Sequence, residues 1–125
     1  MGFLWEDRGW EEKMIEELRS YFQRYIEAEE ISDGEWYEEM ELCCKKEMEL
    51  LAANIEESIR YLKNECTAKE FVLISEFIEE LAEETKSMKL INTYEELKYK
   101  YPAEYKKYNI KSFLEDAKSI LEDEI

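Results

Sequence analysis

Apolar residues recur along most of this chain at intervals of three and four, the spacing of helices that bury one face. The densest such stretch runs from Cys66 to Thr85. At about 100° per residue, Phe71, Ile74, Ile78, Leu81, Ala82 and Thr85 fall on one stripe, and Leu73 and Phe77 widen it to roughly half the circumference. Glu76, Glu79, Glu80 and Glu83 hold most of the other side. Thr67 with Glu70 three residues later reads as a capping box, in which side chain and backbone satisfy each other's free groups at a helix start. The stretch predicts one helix covered on more than one flank. It would be the hub of the fold, with Phe71, Ile74, Phe77, Ile78 and Leu81 deep in the core.

The same spacing predicts the neighbouring helices. Trp10, Met14, Leu18, Tyr21, Phe22, Tyr25 and Ile26 mark a first helix from near Gly9 to near Ile31. Ser32-Asp33-Gly34-Glu35 reads as a turn and a second capping box, with Ser32 as N-cap. Helix two then runs from about Gly34 to Asn64 on Trp36, Tyr37, Met40, Cys43, Cys44, Leu50, Leu51, Ile55, Ile59 and Leu62, with a kink or break expected near Lys45-Lys46-Glu47, or two helices split there as the alternative. Ser87 can cap a helix from Met88 to about Lys100, and Thr93 with Glu96 offers a later start for the same helix. Tyr101-Pro102 ends that helix, because the residue before proline avoids the helical region. Pro102 can open a single turn through Lys107. Asn109 is then the expected N-cap of a last helix from Ile110 to about Glu122, with Phe113, Leu114, Ala117, Ile120 and Leu121 facing inward.

The expected fold is all-α: a compact bundle of five to six antiparallel helices forming one domain over residues 1–125. With three glycines and one proline, the chain has little turn vocabulary for a sandwich or barrel. No a/d heptad persists long enough for a coiled coil. No apolar run approaches the ~20 residues of a membrane span. Cys43, Cys44 and Cys66 make an odd count with no metal spacing, which together with a non-basic N-terminus predicts a reducing cytoplasm.

Charge narrows the possible partners. There are 33 acids against 17 bases, a net charge of −16. Nucleic acid and anionic membranes are disfavoured, since both need clustered Lys and Arg. Residues 1–42 hold 14 acids and 4 bases, net −10, while the other 83 hold 19 and 13, net −6. A field concentrated in this way steers a basic protein partner. A second cluster has the opposite character: Tyr99, Tyr101, Tyr105 and Tyr108 lie beside Lys98, Lys100, Lys106, Lys107 and Lys111. It reads either as a contact patch or as rings packed on the core with hydroxyls in water.

Catalytic chemistry has little to build on. Histidine is absent, which excludes Ser-His-Asp and Cys-His sites within the chain. No Gly-rich phosphate loop exists. Paired carboxylates remain, at Glu76, Glu79, Glu80 and Glu83 and at Glu35, Glu38, Glu39 and Glu41. They suit a carboxylate-only metal hydrolase only if they face inward, and their positions favour a solvated face. No cofactor, metal site or catalytic residue is therefore expected, and the chain is read as a non-enzyme.

The second half carries a resemblance. E-F-V-L-I-S-E-F-I-E-E-L, then T-K-S, then Y-P-A-E-Y-K-K-Y-N-I-K-S-F-L-E-D-A-K is similar to the C-terminal half of small acidic helical immunity proteins of bacterial polymorphic and contact-dependent toxin systems. The resemblance covers roughly residues 66–121. It implies a protein that binds a cognate toxin domain, often a basic nuclease, and blocks its active site or substrate groove. Partner-binding residues vary across such families, so none carries over by motif. The charge distribution supplies a candidate surface instead: Glu27, Glu29, Glu30, Asp33, Glu35, Glu38, Glu39 and Glu41 as an acidic knob around the first turn, with Trp36 and Tyr37 as aromatic anchors. The alternative reading is a non-catalytic helical adaptor that oligomerises.

Overall fold

The computed structural model describes the backbone of residues 2–32 and 37–123 and the side chains of residues 12–31 and 37–122. Among the described residues every regular element is helical: α1 (Gly2–Ser32), α2 (Tyr37–Ala53), α3 (Ile55–Asn64), α4 (Ala68–Ser75), α5 (Ile78–Thr85), α6 (Met88–Lys100), α7 (Pro102–Lys107) and α8 (Ile110–Asp123). The all-α class holds, but eight helices stand where periodicity predicts five to six. Two predicted helices are each broken in the middle.

The first break is at Asn54, not at Lys45-Lys46-Glu47. Asn54 is extended (φ −147°, ψ 99°), and its side-chain oxygen accepts from the Glu57 N–H at 3.2 Å, capping α3. Helix α2 continues through Lys45 and Lys46 without interruption. The second break divides the hub stretch. Glu76 N–H donates to the Leu73 carbonyl and Phe77 N–H to the Ile74 carbonyl, a tightened last turn that ends α4. Across the break Ile74, Phe77, Ile78, Leu81 and Ala82 are all buried, the face that the 3–4 spacing predicts. Phe77 (φ −129°, ψ 21°) leaves the helical conformation and stands at the N-cap position of α5.

Other start signals operate as the sequence predicts. Thr67 and Glu70 form the reciprocal capping box of α4, with side-chain to N–H distances of 3.2 and 3.1 Å. Ser87 caps α6 through the Leu90 N–H at 3.1 Å. Thr93 lies inside α6 and donates to the Lys89 carbonyl, so the later start is not used. Pro102 opens α7. Asn109, expected as the N-cap of α8, instead stands before it in the left-handed region (φ 52°), away from the extended conformation usual for an N-cap but one that asparagine tolerates better than most residues. Helix α1 begins at Gly2, before the expected Gly9. The Ser32–Glu35 box, Trp10 and Trp36 lie outside the described side chains.

Contacts divide the chain into two units, residues 1–50 and 51–125. In the second unit α8 lies against α4, α5, α6 and α7, while α6 lies against α3, α5, α7 and α8. The hub is thus shared: the predicted stretch supplies much of the core, and α6 and α8 touch the most neighbours. Tyr61, Phe71, Ile74, Leu81, Leu90, Ile91, Tyr94 and Leu114 are buried there. Phe113, expected to face inward, is exposed; Ile110, Leu114, Ala117 and Leu121 form the buried stripe of α8. Four buried or half-buried hydroxyls tie backbone or side chains together. Tyr94 donates to the Phe71 carbonyl at 2.7 Å, Tyr101 to the Cys66 carbonyl at 2.7 Å, Ser58 to the Leu51 carbonyl at 2.7 Å and Tyr61 to Glu70 Oε1 at 2.8 Å.

In the first unit Ile15, Leu18, Phe22, Tyr25 and Ala28 are the buried face of α1. On α2 the buried positions are Cys43 and, one turn on, Glu47. Glu47 is 1% exposed and its Oε2 has no hydrogen-bond partner among the described residues. Burial disfavours the charged form and pushes this carboxyl up to about 8.

Two measurements check these assignments. Leu81→Ala should cost about 2–5 kcal/mol in a denaturant melt, the range for truncating a buried leucine; a loss below about 0.5 kcal/mol would take Leu81 out of the core. Glu47 holds a proton in the folded state between pH 4.5 and about 8 that the unfolded chain releases. Stability should therefore fall as pH rises through that window, by on the order of a few kcal/mol. Glu47→Gln should flatten the profile and melt higher than the natural chain at the alkaline end. A stability difference between the two that stays constant from acid to alkaline pH would show that Glu47 does not titrate in this way.

Candidate functional site

The acidic surface belongs to α1 and the first half of α2. Its two helices are joined by an ion pair. The Arg24 guanidinium on α1 donates from Nε at 3.1 Å and also from Nη2 to Glu39 Oε1 on α2. The same guanidinium lies 5.3 Å from the Tyr21 ring centroid. Hydrogen bonding and charge from Glu39 raise the Arg24 pKa further above its already high ordinary value. The pair is solvent-accessible, so its role is orientation more than stability.

Around that pair the predicted residues separate. Glu27, Glu29, Glu30, Glu38 and Glu41 are exposed. Glu39 is half-buried and engaged by Arg24, so it orients the surface rather than standing free on it. Tyr37 is 65% exposed. Asp33, Glu35 and Trp36 lie outside the described residues. Seven residues at 1.5 Å rise put Ile31 about 10 Å along α1 from Arg24, and Tyr37 is half a turn from Glu39. The described acids thus sit within a few helical turns of the ion pair.

Two residues of this surface were not legible in the sequence. Ile31 is 73% exposed and Leu42 is 42% exposed, each next to exposed acid. Ile31 reads as the end of an apolar helix. Leu42 has a possible signal, since it falls off the 36-40-43 stripe of α2 and needed some other place to go. Together Ile31, Tyr37 and Leu42 give the acidic face apolar contact points.

The remaining chemistry-bearing groups do not assemble. Cys43, Cys44 and Cys66 are not joined in disulfides. Cys43 is fully buried, and burial pushes its thiol up, which leaves it a poor nucleophile. Glu76, Glu80 and Glu83 are exposed, and Glu79 on α5 is half-buried. Burial, then the charges of Asp116 on α8 and of Glu80, raise the Glu79 pKa. Among the described residues no group of three or more His, Cys, Asp or Glu could hold a metal ion. Nor is any described helix long and apolar enough to cross a membrane.

Set against family models, curated proteins and solved structures, the chain finds no match in any of the three.

Proposed function

We propose that this chain is an immunity protein that neutralises a bacterial toxin domain of basic surface, engaging it through the acidic face of α1 and α2. The observation that carries the reading is the composition of that face: five exposed glutamates interspersed with Ile31, Tyr37 and Leu42. Acid alone would serve solubility. Exposed apolar side chains among the acids cost solubility and are what a partner covers. The toxin's groove, shaped for phosphates, would meet an array of carboxylates of similar charge spacing. Long-range attraction brings the two together, and the apolar residues hold the complex. The resemblance of residues 66–121 supports the same reading from a different part of the chain.

The same apolar residues also suit an adaptor that self-associates. Light scattering separates the two: an adaptor forms a stable dimer that Tyr37→Ala dissolves, and needs no toxin.

The test begins with the neighbouring gene: this reading expects a large secreted protein that ends in a small basic domain to be encoded directly upstream, and that domain is the probe. Co-expression of the chain should restore growth to cells making that domain, and the two should co-purify. Glu27→Gln, Glu38→Gln and Glu41→Gln combined should slow association by about tenfold at low salt and flatten its salt dependence. Ile31→Ala with Tyr37→Ala should instead speed dissociation. Absence of both protection and complex formation would end the immunity reading. Intact affinity and salt slope in the triple variant would remove the acidic face from it.

A further inference from the structure

A second surface has the opposite charge. The end of α6, all of α7 and the start of α8 carry Lys98, Lys100, Lys106, Lys107 and Lys111 against one acid, Glu104. Residues 98–111 are therefore net +4, which leaves −20 for the remainder of a chain whose total is −16. Lys98 and Lys111 do take helical neighbours, Glu95 and Glu115, at 3.9 Å each. Lys100, Lys106 and Lys107 are exposed and form no ion pair among the described residues.

Tyrosines interleave with these lysines. Lys98 Nζ lies 5.2 and 5.9 Å from the ring centroids of Tyr99 and Tyr105, Lys100 Nζ 5.4 Å from Tyr101 and Lys107 Nζ 5.3 Å from Tyr108. Of these rings, Tyr101 is tied inward through its hydroxyl. Tyr99 is 78% exposed and Tyr108 45% exposed, and Phe113 on the first turn of α8 is 36% exposed. Packing on the core therefore accounts for Tyr101 and leaves Tyr99, Tyr108 and Phe113 facing water.

We propose that this lysine-tyrosine face is a docking surface for a short acidic polypeptide segment of a partner protein. Charge complementarity selects an anionic occupant, and the surroundings restrict its length. At physiological ionic strength the screening length is about 8 Å, so the positive field is local, and outside it the rest of residues 51–125 is net −10. A nucleic-acid strand running past the patch enters that repulsive field. An acidic loop or chain terminus that ends within the patch does not. Carboxylates reach Lys100, Lys106 and Lys107, while Tyr99, Tyr108 and Phe113 supply rigid apolar area with polar tips. The surface uses no residue of α1 or α2, and it stands whether or not the protein is a toxin inhibitor.

Fluorescence anisotropy of two labelled probes tests it: an oligo-glutamate peptide and a thymidine oligonucleotide of equal charge. The peptide should bind at low salt, and Lys100→Glu with Lys106→Glu and Lys107→Glu should weaken it by at least about tenfold. Tyr99→Ser with Tyr108→Ser, which leaves the charge untouched, should weaken it severalfold. The acidic-face variant Glu27→Gln, Glu38→Gln, Glu41→Gln should bind the peptide at least as well as the natural chain. Equal or tighter binding of the oligonucleotide overturns the proposal in favour of a nucleic-acid surface. No peptide binding, or binding that survives the lysine reversals in a protein whose circular dichroism is unchanged, overturns it outright.

Discussion

The connection between α3 and α4 hangs on one side chain, Tyr61. Its carbonyl accepts from the N–H groups of both Glu65 and Cys66, at 2.8 and 3.0 Å, which ends α3. Its hydroxyl donates to Glu70 Oε1, the same oxygen that accepts from Thr67 N–H and so starts α4. Tyr61 is completely buried. Burial, with nearby Cys66 and Glu70, pushes its phenol far above the usual tyrosine range, which keeps the donating proton in place. One residue thus fixes the end of one helix, the start of the next and the path of the three residues between. The placement of Phe71 against Tyr94, ring centroids 4.9 Å apart, depends on that start point.

What the sequence made legible follows from the range of each signal. Thr67, Ser87 and Pro102 act on backbone within four residues, so their effect could be read directly. The inward positions Phe71, Ile74, Phe77, Ile78 and Leu81 were legible because periodicity reports a face. Periodicity does not report a bend, however. Phe77 and Ile78 keep the same face inward across the break between α4 and α5, so the apolar pattern runs through it unmarked. Asn54 carried a local signal, an asparagine three residues before Glu57, hidden inside an unbroken apolar pattern. Glu47 was illegible for a different reason. Beside Lys45 and Lys46 it reads as surface, and only the tertiary arrangement shows that it is inside.

The surface was legible as charge and not as shape. Counting acids located the negative field on the first 42 residues. It did not show that Arg24 would engage Glu39, or that Ile31 and Leu42 would face water among the acids. The lysine-tyrosine cluster was equally visible as composition. Its division into an anchored ring, Tyr101, and exposed rings, Tyr99 and Tyr108, depends on where α7 turns relative to Cys66.

The hydroxyl ties of the second unit have a consequence for how this protein can change over generations. Tyr94, Tyr101 and Ser58 bind backbone carbonyls, and a backbone carbonyl is present whatever residue carries it. The internal fastenings therefore make few demands on the identity of their acceptors and none on the charges outside. Exposed glutamates and lysines can be exchanged, added or reversed at little risk to the scaffold. Over generations the surface charges of residues 51–125 could be rewritten many times while the same interior is inherited.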